Sequence, residues 1–230
     1  FKVGGFFILC NAILEDNNVG LMDQVVKALG VSIAKAIDKA IPYGTDVSMP
    51  LGIVTRLAQT TKPSGYPAKA RTWVDLHETN IEKMAAATGK TLFKNLIKAT
   101  GKIKNDYSTG NLVWIMNKQT HVNILAESVE ASVSATVQAG MGDTMPVVGG
   151  AIVECDFMAD GDILFGYFSN YLMTERAGTK LAVSTEVKFV DDQTVFKGTA
   201  RYDGTPVIAE SFALININNV APTTTIVFPS

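Results

Sequence analysis

The chain has 230 residues, enough for one large domain or two modest lobes sharing a core. It is 47% hydrophobic and 18% charged with a formal net charge of −2, so no overall basic field gathers nucleic acid. Two distant cysteines, Cys10 and Cys155, exclude a disulfide framework and read as buried thiols of a reducing compartment; no apolar run reaches the ~18–20 residues of a membrane helix.

The sequence opens Phe1-Lys2-Val3-Gly4-Gly5-Phe6-Phe7, without an initiator Met, a basic start or a cleavage pattern, and reads as the interior of something longer. The first clear element is an amphipathic helix over 21–41. Leu21, Val25, Leu29, Ile33, Ile37 and Ile41 recur every four residues, widened by Met22, Val26, Ala36 and Ala40. Asp16, Asn17 and Asn18 offer N-caps, Asp23 puts a negative charge in the first turn, and Pro42 and Gly44 stop the helix. About twenty residues at 1.5 Å each make a rod of roughly 30 Å.

From Pro42 to Trp73 the prolines and glycines predict a long excursion with one strand at Ile53–Leu57. Helical patterning returns over Asn80–Ala87 and Leu92–Ile103. The second of these carries a lysine stripe, Lys90, Lys94, Lys98 and Lys102, which reads as a solvated face. A strand over Leu112–Met116 and a helix over Lys118–Ser128 follow. Beyond Pro146 the pattern is β: Ile152–Cys155, Ile163–Phe168, Tyr171–Glu175 and Leu181–Val190, with a turn at Asp160-Gly161. Thr194–Tyr202, Asp203-Gly204 and Thr205–Ile217 read as a hairpin, because Asp-Gly tolerates the positive φ of a tight turn; Pro206 marks an edge position. Ala221-Pro222-Thr223-Thr224-Thr225 reads as a linker. The class is α+β.

No catalytic constellation completes itself. Thr88-Gly89-Lys90-Thr91 is half a phosphate loop whose leading glycine is replaced by Met84, so it reads as a helix start with hydroxyl caps. Gly140 and Gly142 lack the third glycine of a dinucleotide fingerprint. His77-Glu78 is followed at position 81 by Ile81, where a zinc-protease helix needs histidine; with only His121 besides, no zinc set forms. Asp191-Asp192 point to opposite faces of an extended strand, and Asp160 and Asp162 fit a turn. No catalytic, cofactor-binding or metal-binding residue is therefore assigned.

Several segments in fixed order closely resemble the major capsid protein family of tailed double-stranded DNA bacteriophages. They are Gly4–Phe7, Cys10–Asp16, Ala36–Gly44, Met49–Ala58, Asp143–Gly150, Thr174–Gly178 and Asp191–Gly204, and the likeness runs from about Gly4 to Ile217. The resemblance implies the Hong Kong 97-type capsid fold. Residues 1–71 would open a peripheral domain with spine helix 21–41, 72–177 would form an axial mixed α/β domain, 178–217 would return as peripheral antiparallel strands, and 218–230 would be a tail. It also implies a non-enzymatic subunit that self-assembles into pentamers and hexamers around phage DNA. Such a subunit is made into virions in the bacterial cytoplasm with a scaffold, a maturation protease and a portal, contacts DNA non-specifically, and needs no membrane or cofactor.

The N-terminal arm and extended loop of such subunits would precede Phe1, so the expected state of these residues alone is a monomer or small oligomer. Crosslinking residues are unassigned for the same reason. Two other functions compete: an encapsulin-type nanocompartment shell, and a nucleotide-dependent enzyme using Lys90 and Thr91.

Overall fold

The computed structural model describes residues 1–15, 20–106, 110–131 and 143–228. Along them run β1 (Lys2–Cys10), α1 (Asn11–Glu15), α2 (Leu21–Tyr43), α3 (Ile53–Ala58), α4 (His77–Asn80), β2 (Ile81–Lys83), α5 (Gly89–Thr100), β3 (Val113–Met116), α6 (Lys118–Glu130), β4 (Ala151–Glu154), β5 (Asp162–Gly166), β6 (Tyr171–Lys188), β7 (Gln193–Pro206) and β8 (Phe212–Asn216). They fall into two units, Phe1–Gly52 with Met173–Thr205, and Ile53–Leu172 with Pro206–Ser230.

The first unit is the long helix α2, preceded by the short α1, with a three-stranded sheet of order β1-β7-β6. Its helix α2 buries Leu29, Ile33 and Ala40, the middle of the predicted stripe. It begins after Gly20, which is left-handed (φ 66) and whose carbonyl accepts from Asp23 and Gln24; the predicted caps Asp16, Asn17 and Asn18 lie outside the described residues. Pro42 and Tyr43 belong to the last turn, and the Gly44 N–H closes it on Ala40 O at 2.8 Å. Beyond it the chain doubles back on itself, with Gly52 N donating to Gly44 O at 2.8 Å. A Cβ on Gly52 would overlap Gly44 N and Pro42 O, which explains glycine here.

Along β7, buried Thr194, Phe196, Gly198 and Ala200 alternate with more open residues. Gly198 sits beneath α2: a Cβ there would come within 3.2 Å of Ile33 Cδ1 and 3.7 Å of Leu29 Cβ. Lys2–Cys10, for which the sequence predicts no element, is a strand in antiparallel register with β7, Phe7 opposite Phe196 and Gly5 opposite Gly198.

The hairpin differs from expectation. Neither Asp203 nor Gly204 has a positive φ, so no tight turn forms, and β7 runs straight through them. The Asp203 carboxylate accepts from Gly204 N at 2.8 Å, and Gly204 O accepts from Leu51 N at 2.9 Å. The reversal comes earlier, at 189–192, where Asp192 has φ 50 and joins β6 to β7. The two short strands expected at Tyr171–Glu175 and Leu181–Val190 are the single 18-residue β6.

The second unit is a five-stranded sheet of order β2-β8-β5-β3-β4. Its two central strands, β5 and β8, are buried at every position, which requires cover on both faces. On one face Trp114, Met116, Ile163, Phe165, Ala213 and Ile215 form a core with Leu92, Phe93 and Leu96 of α5 and Ile124 of α6. α3 and α4 pack against β8. The Ile53–Leu57 run, expected as a strand, is helix α3, with Ile53, Val54 and Leu57 buried. The Asn80–Ala87 helix is replaced by α4 and β2: Ile81–Lys83 pair in parallel with Leu214–Asn216, and Asn80 Nδ2 donates to Phe212 O at 2.7 Å. Sheet pairing outweighs local helix propensity there.

By contact the units divide at Gly52 and again at Met173 and Thr205, and α3 and β8 are neighbours within the second. The tail is no free linker: Thr223 N donates to Asp162 at 2.8 Å, and Ile226 and Phe228 are half-buried.

Trp114 and Phe165 stack with centroids 4.6 Å apart at the centre of this core, and both are fully buried. Phe165→Ala is expected to cost about 3–5 kcal/mol, read as a lower urea midpoint with the slope unchanged.

Candidate functional site

Each chemistry-bearing motif of the sequence can be followed to its place. Thr88 stands before α5 in extended conformation but makes no side-chain cap bond, so the expected hydroxyl cap is absent. The cap is Glu127 of α6, whose Oε2 accepts from Gly89 N at 2.6 Å. A carboxylate thus occupies the place where the positive end of the helix would meet a phosphate. Lys90 lines a shallow 320 Å³ depression with Phe93, Lys94, Ile97 and Lys98, apolar at its base. Lys102, last of the lysine stripe, pairs with Glu82 at 2.7 Å.

His77 Nδ1 lies 3.2 Å from Glu78 Oε1, and His121 Nδ1 lies 2.7 Å from Glu154 Oε1. Among the described residues no three His, Cys, Asp or Glu side chains come together around a common metal position. Cys10 and Cys155 form no disulfide and are half-buried, not fully buried as expected. Gly140 and Gly142 lie outside the described residues. No described helix is long and apolar enough to cross a membrane.

The acid pairs have structural work. Asp160 accepts from Asn117 Nδ2, which fixes the turn leading into β5. Asp162 is fully buried; Asn216 Nδ2 donates to its Oδ1 at 2.7 Å and Thr223 N to its Oδ2 at 2.8 Å. Burial raises the Asp162 carboxyl above the ordinary aspartate range, and the Asn216 and Thr223 donors partly oppose this. Asp191 and Asp192 do not converge. Asp191 pairs with Lys188 at 2.8 Å, while Asp192 accepts from Asn11 Nδ2 at 2.7 Å, anchoring the reversal to the end of β1.

What remains unused is surface. In the first unit, Val187 (72% exposed), Phe189 (81%) and Val190 (96%) crowd the tip where β6 turns into β7. Register puts Phe6 opposite Lys197 and Ile8 opposite Val195, on the sheet face away from α2. Phe6 is 67% exposed there. Exposed apolar side chains of this size mark places where another molecule packs.

Solved structures give the fold a class. The chain superposes on the capsid of an empty GTA particle (TM-score 0.67, 16% identity, 94% of this chain and 73% of that one). It also matches the structure from Microbacterium phage Oxtober96 (TM-score 0.68, 13% identity, 94% and 72%) and the satellite phage P4 procapsid including size determination (Sid) protein (TM-score 0.55, 11% identity, 94% and 70%). Comparison with the curated proteins finds no match. These likenesses establish a Hong Kong 97-type capsid fold. The model of the phage capsid family matches residues 1–217, and the chain belongs to that family as a structural capsid subunit.

Two outcomes follow for the motifs. A thermal-shift titration with ATP and magnesium is expected to leave the melting temperature unchanged, in the wild type and in Lys90→Ala alike, because the Glu127 carboxylate already occupies the start of α5. For Asp162, a raised folded pKa means that the folded state holds more protons than the unfolded chain above about pH 4, the ordinary aspartate value. Its contribution to stability therefore falls as pH rises and recovers on acidification. Urea unfolding of wild type and Asp162→Asn from neutral pH to about pH 4 should show wild type gaining relative to the variant as pH drops.

Proposed function

We propose that copies of this chain associate through the exposed ribbon of β1, β7 and β6 into pentamers and hexamers, which close into an icosahedral shell around phage DNA. The first unit is then the peripheral domain with α2 as its spine, and the second the axial domain. The observation that carries the proposal is the apolar tip. Phe189 and Val190 stand almost wholly in water at the end of an 18-residue strand, and contact with another copy would remove them from it. Shell building asks for large complementary surfaces repeated by symmetry, not for convergent polar groups. A non-enzymatic role fits the Glu127 carboxylate at the one helix start that resembled a nucleotide site.

Assembly in the host cytoplasm, a scaffold, a maturation protease, a portal and non-specific contact with packaged DNA belong to the same proposal. The P4 procapsid, solved with its Sid protein, supports a partner acting on shell geometry. The nanocompartment alternative is not favoured, because the family and the solved structures named are capsids.

The test is to express the complete coding frame containing these residues and examine the product by sedimentation and negative-stain microscopy. Closed icosahedral particles are expected. Phe189→Ser with Val190→Ser should abolish or greatly reduce them while leaving the melting temperature of the subunit within a few degrees, since both side chains are exposed. A product that stays monomeric at every concentration contradicts the proposal.

A further inference from the structure

The same ribbon is polarised. At the end remote from the reversal, Lys2 lies opposite Arg201 in the β1–β7 register. Two adjoining cavities open there. One of 400 Å³ is lined by Lys2, Arg176, Arg201 and Asp203 among others, and one of 370 Å³ by Lys2, Arg176, Lys180 and Arg201 among others. Four cations thus outnumber the two carboxylates there: Asp203, already turned onto Gly204 N, and Glu175, which accepts from the Tyr202 hydroxyl at 3.4 Å. None of the four enters an ion pair with a described residue. This in a chain of net charge −2 is a local concentration of positive charge.

The reversal carries the opposite sign. Glu186, Asp191 and Asp192 stand exposed around Phe189 and Val190, against the single cation Lys188. Six residues of extended strand, roughly 20 Å, separate Lys180 from Glu186. That exceeds the Debye length of about 10 Å at 0.1 M salt and is far beyond contact. The two charges cannot satisfy one another within one chain.

We infer that the basic end of the ribbon receives the acidic, apolar tip of a second copy of this chain, a head-to-tail contact. Its two halves are different surfaces, so the contact is heterologous and propagates into rings or shells instead of stopping at a two-fold dimer. The tip supplies both parts of the recognition: Glu186, with Asp191 shared between Lys188 and the partner, for the cations, and Phe189 and Val190 for apolar burial beside Phe1 and Tyr202, which line the larger cavity. The inference rests on the shell-subunit reading and deepens it by naming the two surfaces that meet.

Charge exchange tests it. The basic end is reversed with Lys180→Glu and Arg201→Glu, and the tip with Glu186→Lys and Asp191→Lys. Asp192 is spared because it holds Asn11. By sedimentation equilibrium of the 230-residue chain at low salt, the wild type is expected to self-associate, and each variant alone to associate about tenfold or more weakly. An equal mixture of the two variants should associate again, since the reversed end of one fits the reversed tip of the other, and the unreversed tip of the first fits the unreversed end of the second. Circular dichroism must show all of them folded. Wild type that stays monomeric, variants that associate like wild type, or a mixture that does not recover overturns the contact. So does salt-sensitive binding of a single-stranded DNA oligonucleotide that requires Lys180 and Arg201 while self-association does not. Each of these leaves the shell-subunit reading intact, because that reading stands on particles formed by the complete coding frame.

Discussion

A three-stranded sheet has two faces, and among the described residues the first unit has one long helix, α2, to cover them. Everything distinctive about this molecule follows from that shortage. α2 takes the face bearing Phe196, Gly198 and Ala200, where the missing side chain of Gly198 lets Leu29 and Ile33 close down on the sheet. The opposite face keeps Phe6 and the cations of β1, β6 and β7 in water, and the tip keeps Phe189 and Val190 there too. A monomer gains nothing from such exposure. A subunit whose free energy is completed by its neighbours does.

The second unit shows the contrast. Its central strands β5 and β8 are buried along their whole length between helices, and even the acid Asp162 is enclosed and given two donors. This is a self-sufficient core. Its groups of apparent chemical promise have been turned inward to structural ends: Glu127 closes the start of α5, and Asp160 and Asp162 hold the turn and the returning tail. The functional content of the molecule lies in its surfaces, as expected of a capsid subunit.

Much of this was legible in the sequence, and the reasons differ by element. The four-residue recurrence through Leu29 and Ile33 specifies α2, because only a helix brings those positions to one side. The Ile53–Leu57 run was misread because a short apolar run has no period to separate helix from strand; contact with β8 decides it. The Asp203-Gly204 pair was misread for another reason. Asp-Gly permits a tight turn without compelling one, while Asp192, which does adopt φ 50, sits in a less familiar Asp-Asp pair anchored by Asn11, 181 residues away. The Glu127 cap was equally hidden, 38 residues from Gly89 in sequence and created only when α5 and α6 pack. Resemblance from about Gly4 to Ile217 supplied the family before any of these contacts could be seen.

In the proposed shell, the uncovered ribbon is covered by other copies. The most direct measurement is a cryo-electron microscopy reconstruction of the assembled particle at side-chain resolution. Phe189, Val190 and Phe6 are expected to be buried against neighbouring subunits, with α2 continuing to cover the other face. A closed shell in which these three side chains remain in solvent, its contacts made wholly by other surfaces, would contradict it.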